Sequence, residues 1–299
     1  MTAVEDVELL DAHHHLWDPR ERTYPFLEGD GLELLHRRFD VDDLRSATAG
    51  TGVSRTVVVQ AVGTEEETRA LLGAASSSGG LVAGVVGWVD LLSQDVGARL
   101  DALRAGPGGE LLVGVRHQVE EEEREWLRRP AVARGVTAVA RAGLAYDLLV
   151  RPDQLPSAAA LADAVPDARL LLDHGAKPPV GSPTWACWAE DVAELARRPQ
   201  VVGKLSGLLT QVPADAEPGS LQPSVDHLLA AFGPERLVAG TDWPVSALAA
   251  PYAEVVARTR GWVAGLTGDE QRAVLGGSAC RTYALARPDG ARTDPHDHR

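Results

Sequence analysis

Short apolar, β-rich runs recur along the chain, each followed by a polar or helix-periodic stretch. Eight such runs fall at 8–12, 56–60, 82–89, 111–116, 145–150, 169–173, 201–205 and 237–240. Between them the spacing predicts helices over 41–49, 65–76, 95–105, 122–142, 155–165, 185–197 and 224–232, and a last one over 252–265. Strands alternating with helices at this interval imply a parallel sheet, because parallel neighbours need a crossover. Eight units in one chain of 299 residues imply an α/β protein, a (β/α)8 TIM barrel, as a single domain over 1–287. An open doubly wound sheet is the rival. Residues 24–35 and 213–223 show no periodicity and read as loops over one end. The acidic run 120–123 reads as a solvated helix start, and 288–299 as a disordered polar tail.

In a barrel of this kind, reacting groups sit at the C-terminal ends of the strands. The first strand runs into Asp11-Ala12-His13-His14-His15-Leu16-Trp17-Asp18. Alternation puts His13 and His15 on one face and His14 on the other, so two imidazoles can grip one metal ion or one substrate oxygen. His296 and His298 share that spacing but follow no strand. The fourth strand ends in Arg116-His117, the sixth in Asp173-His174-Gly175, and the eighth in Gly240-Thr241-Asp242-Trp243-Pro244. The seventh carries Lys204 and Ser206-Gly207; a lysine in an apolar strand needs a charge partner or a polar cavity. Tyr146 and Asp147 lie near the start of the fifth strand and are expected at the opposite end. Singly, each residue has an ordinary structural explanation: a core histidine, a helix-capping Asp242, an ion-paired Arg116. Together, ionisable groups at five of eight strand ends point to one common site.

Composition narrows the function. A hydrophobic content of 44% supports a large core, and no apolar run approaches the roughly 20 residues of a membrane span. Net charge is −14, spread along the chain, which argues against nucleic acid and anionic membranes as partners. The opening residues are acidic (Glu5, Asp6, Glu8), unlike a secretory leader. The two cysteines, Cys187 and Cys280, make no metal motif. A cytoplasmic protein with a small-molecule substrate is expected, its oligomeric state open.

At these strand ends the chain resembles the amidohydrolase-related family of TIM-barrel hydrolases, and most of all its sugar-lactonase branch, which includes L-fuconolactone and L-rhamnonolactone hydrolases. The resemblance rests on residues 11–18 with Tyr24-Pro25, on Val115-Arg116-His117-Gln118, and on Leu172-Asp173-His174-Gly175-Ala176-Lys177-Pro178. It continues through Lys204-Leu205-Ser206-Gly207, Gly240-Thr241-Asp242-Trp243-Pro244 and Gly277-Ser278-Ala279-Cys280-Arg281-Thr282-Tyr283. It implies a site at the barrel mouth with His13, His15, His174 and Asp242 around a metal or a water. Binuclear members carry a bridging carboxylated lysine at the end of strand four, where His117 stands here, and many mononuclear members end strand five in a histidine that this chain lacks. The resemblance therefore implies at most one divalent ion, zinc first, and the branch also includes chemistry without metal.

Lactone opening needs an activated water, a polarised carbonyl and a place for the oxyanion. Asp242 is the expected general base. Arg116, His117 and Lys204 are the expected donors, with Arg116 and Lys204 also forming a positive pocket for substrate. Trp17, Tyr24 and Trp243 are expected to wall the sugar ring. The alternatives are a metal-dependent decarboxylase or C–C or amide hydrolase on the same barrel, and a non-catalytic ligand-binding barrel.

Overall fold

The computed structural model describes residues 7–213, 216 and 219–285. Eight strands form one parallel sheet in sequence order: β1 (Leu9–His14), β2 (Val53–Val59), β3 (Val82–Gly87), β4 (Leu112–His117), β5 (Ala145–Leu148), β6 (Leu170–Leu172), β7 (Val201–Leu205) and β8 (Leu237–Ala239). The barrel closes just beyond β8. Asp242 N donates to His13 O and His15 N donates to Trp243 O, both at 2.7 Å, so the closing bonds are made by the residues that carry the candidate chemistry.

Helices α1 (Val41–Thr48), α2 (Glu65–Ser76), α3 (Val96–Ala105), α4 (Pro130–Arg141), α5 (Leu155–Ala164), α6 (Trp185–Ala196), α7 (Gln222–Phe232) and α8 (Tyr252–Val263) surround the sheet. The expected helix over 122–142 is corrected: a 3-10 turn at Trp126–Arg128 comes first, and the helix starts at Pro130. Proline has no N–H to give to a preceding turn and suits a first helical position. The end of the barrel wall was not foreseen as structure. It comprises α9 (Gly268–Arg272), a π turn (Ala273–Gly277) and α10 (Ser278–Thr282), pieces too short to show a period.

Two apolar zones result. One lies between sheet and helices. The other fills the lower barrel with Leu10, Ala12, Val57, Val59, Val86, Ala145, Leu171, Val202 and Val238, closed from below by Tyr283 and Leu285. The apolar fill ends about halfway up the barrel, and charged side chains take over. Among the described residues no helix is long and apolar enough to cross a membrane. The expected tail at 288–299 and the His296/His298 pair lie outside the described residues.

Candidate active site

Above the apolar fill, the ionisable groups stand in two layers. The upper layer gathers His13, His15, His174 and Asp242. His13 Nε2 is 3.3 Å from His15 Nε2, and Asp242 Oδ1 is 3.3 Å from His15 Nε2 and 3.7 Å from His13 Nε2. His174 Nε2 is 4.0 Å from the same oxygen. His14 points away, as alternation requires, and its Nε2 meets Thr56 Oγ1 at 2.9 Å.

Backbone geometry brings His174 and Asp242 inward. Both have positive φ, 55° and 61°, a conformation that costs an ordinary residue about 1–2 kcal/mol. After β6 the whole turn His174-Gly175-Ala176-Lys177 is left-handed, with φ of 54–57°. Ser206 Oγ lies 3.0 Å from His174 Nδ1 and fixes the ring. Gly207 is required beside it: a Cβ there would sit 2.6 Å from His174 Nδ1 and 2.8 Å from Asp242 Oδ2.

The donor set fits a single metal ion. His15 Nδ1 lies 2.8 Å from the Val59 carbonyl, which can only accept, so the ring proton sits on Nδ1 and Nε2 presents a lone pair. His13 Nδ1 faces the Asp173 carboxylate at 3.5 Å, the arrangement that orients a metal-binding imidazole. The His15 lone pair and the Asp242 carboxylate thus converge, with His13 Nε2 beside them and 3.5 Å from Arg116 Nη1. Tetrahedral ligands about 2.1 Å from zinc stand about 3.4 Å apart, close to the separations seen. Burial pushes the Asp242 carboxyl up, but His174, His15 and His13 pull it well below the usual carboxylate range. Imidazoles do this only when protonated, and burial lowers His13 and His174.

The lower layer pairs its charges within itself and meets the upper one at His13, whose Nδ1 lies 3.3 Å from Lys204 Nζ. Lys204 Nζ, fully buried, is 2.5 Å from Asp147 Oδ2 and 2.7 Å from Asp173 Oδ1. Tyr283 OH donates to Asp147 Oδ2 at 2.7 Å. Arg116 Nη1 donates to Asp173 Oδ2 at 3.2 Å, and Nη2 donates to the Gln60 carbonyl. Burial pushes Asp147 up to about 6 with Lys204 opposing. For Asp173 burial also raises, but Lys204, His13 and Arg116 outweigh it and hold the carboxyl well below its ordinary value.

A cavity of about 350 Å³ opens over the upper layer, walled by His15, Trp17, Phe26, Arg116, Gln118, Leu149, His174 and Asp242, with Glu120, Lys177 and Gln211 towards the rim. Several expected residues lie elsewhere. Lys204 sits beneath the cavity, because its ammonium is spent on two carboxylates. His117 is turned outward by strand alternation: its Nδ1 accepts from Trp88 Nε1 at 3.1 Å, its Nε2 meets Glu122 at 3.0 Å, and its ring stacks on Trp126. Trp243 packs edge-on against Phe39. Tyr24 lines a neighbouring cavity of about 470 Å³ that shares only Trp17 with this one. Asp147, expected at the far end of the barrel, is inside it: β5 is only four residues long, so its third residue is already at the depth of Lys204. The buried lysine was the signal for it, since an interior ammonium demands a carboxylate on a neighbouring strand. Glu120, expected in a solvated helix start, stands instead in a 3-10 turn (Val119–Glu121) on the cavity wall; Gln118 and Lys177 lie in the resemblance motifs with no role assigned there, and Gln211 leaves no signal in the sequence.

The chain belongs to the amidohydrolase family, whose profile matches residues 10–285. It is 37% identical over 290 residues to the L-fucono-1,5-lactonase of Burkholderia ambifaria, covering 94% of this chain and 97% of the relative. The L-fucono-1,5-lactonase of Burkholderia multivorans is 36% identical over 298 residues, with 95% and 98% covered. A crystal structure of an amidohydrolase from Burkholderia multivorans with bound zinc superimposes with a TM-score of 0.86 at 35% identity, covering 93% of this chain and 99% of that one.

Proposed function

We propose that this hydrolase opens a small sugar lactone, of the L-fucono-lactone kind, and that one zinc ion is held by His13, His15, His174 and Asp242. The observation that carries the reading is the convergence of these four side chains on the floor of a cavity sized for one sugar ring, in a chain whose relatives are lactonases. The ion would polarise the carbonyl and lower the pKa of an adjacent water towards about 7.

The chain's own residues supply the rest. Asp242 takes a proton from the water as its oxygen bonds to the lactone carbonyl carbon. Arg116, buried in the cavity wall, faces the negative charge that develops on the carbonyl oxygen. Collapse breaks the bond between that carbon and the ring oxygen, and protonated Asp242 returns its proton to the leaving alkoxide. The product is an open-chain hydroxy acid, which ionises and releases one proton. Trp17 and Phe26 give the ring an apolar wall, while Gln118 and Gln211 offer hydrogen bonds to hydroxyls.

The test is a panel of aldonolactones followed with a pH indicator, alongside elemental analysis of the same sample. Acid release with one zinc per chain is expected. A protein inert on every lactone overturns the reaction, and two ions per active chain overturn the site.

A further inference from the structure

We infer that Glu120 and Lys177 form a charge pair at the cavity rim that sets substrate selectivity, by withholding from lactones the one cation that could receive a carboxylate. The inference rests on the lactonase reading and concerns the end of the substrate remote from the scissile bond.

Among the described residues, the cations on the cavity wall are Arg116 and Lys177. Arg116 is committed to Asp173 and to the Gln60 carbonyl. Lys177 Nζ bonds the Glu120 carboxylate. Glu121 and Asp242 add further negative charge to the same wall. A substrate carboxylate entering here meets no unpaired positive group above the floor.

The pair is held in place by backbone. Glu120 N donates to Leu149 O at 3.0 Å and its carbonyl accepts from Arg151, which fixes it over the end of β5. Lys177 closes the left-handed turn that begins at His174, with its N–H on the His174 carbonyl at 2.9 Å. The two side chains are only 24% and 30% exposed, so their charges are less screened than those of a surface pair. The lactone carbonyl must approach Asp242 on the floor, which directs the far end of the sugar to this rim. A hydroxyl or methyl group there is compatible with a neutralised pair. A carboxylate is repelled by Glu120 unless it displaces Glu120 from Lys177.

Selectivity of this kind comes as much from repulsion of the wrong ligand as from attraction of the right one. The experiment compares two lactones of the same ring, one ending in a neutral hydroxymethyl or methyl group and one ending in a carboxylate. The wild-type protein is expected to favour the neutral substrate by about 100-fold in kcat/KM. Glu120→Gln releases Lys177 and should reduce that ratio at least about tenfold, through a gain on the carboxylated substrate. Adding Lys177→Met to Glu120→Gln should abolish the gain. Lys177→Met alone leaves Glu120 unpaired and should widen the ratio, which tests the same pair if Glu120→Gln folds poorly. Equal use of both lactones by the wild type, or a ratio unmoved by these variants, overturns the pair's role and leaves the lactonase reading intact. Failure on both lactones overturns the two together.

Discussion

The two layers of charge inside the barrel are built from the same residue types, are similarly buried, and differ in what they are for. In the lower layer every strong charge has met its opposite: Lys204 with Asp147 and Asp173, Arg116 with Asp173, and Tyr283 completing Asp147. In the upper layer three imidazoles crowd one carboxylate with no full cation among them, and the cavity opens above them. Burial of an ionisable group is therefore not what marks chemistry here. The mark is an unsatisfied set of donor atoms at a place a ligand can reach. The lower layer positions the upper one through Asp173, which touches both Lys204 and His13.

The contrast can be broken most severely at Lys204. Lys204→Met leaves two buried carboxylates without their ammonium, at an expected cost of about 3–5 kcal/mol in stability. Urea unfolding reads it, and adding Asp147→Asn should recover part of the loss. A variant of normal stability with only kcat reduced would move Lys204 into the upper layer. Asp242→Asn should do the opposite: kcat falls by about 100-fold or more with the unfolding midpoint nearly unchanged. Near-normal turnover would remove Asp242 from the proton transfers.

Arg116 belongs to both layers, and Arg116→Met sharpens the boundary. We expect KM to rise and kcat to fall, each by about tenfold, because the side chain both lines the cavity and faces the oxyanion. A change in stability alone would assign it to the lower layer.

Asp11 supplies a pH test beside the upper layer. It accepts hydrogen bonds from Thr241, Tyr252 and the His13 N–H, yet burial pushes it up to about 6. The folded form thus keeps a proton that the unfolded chain loses near pH 3.8. Its contribution to stability is full below that pH and is lost as pH rises through about 6. Relative to Asp11→Asn, the wild type should lose about 2 kcal/mol between pH 4 and 7; a flat difference would place the Asp11 carboxyl at its ordinary value. The smallest effect is expected from Tyr283→Phe, about 1 kcal/mol of stability with kcat/KM held. A fall in kcat/KM there would mean that the foot of the barrel reaches the chemistry.

The barrel itself was legible because all eight strands are short apolar runs, each within a few residues of its predicted span. The upper layer was legible because period-two alternation is rigid: it put His13 and His15 together, sent His14 away, and marked strand six and strand eight by what ends them. The same rule, applied to Arg116-His117, allows only one of the two to face inward. Lys204 reads as costly in the sequence, but its partner on β5 does not, since the apolar run 145–150 is two residues longer than the strand and puts Asp147 at the wrong depth. The pairing of Glu120 with Lys177 is not legible in the sequence, because left-handed turns and 3-10 turns leave no periodic trace.

Tyr283 and Leu285 close the foot of the barrel, although the last strand ends at Ala239. During synthesis, all eight strands therefore leave the ribosome well before the Tyr283 hydroxyl that satisfies Asp147 and the apolar plug beneath it. Until the segment after β8 has emerged, Asp147 and the apolar floor lack the partners that cover them in the finished barrel. Completion of the interior is thus tied to elements made after the whole sheet, and a chain cut between β8 and α10 would have a barrel wall without its base.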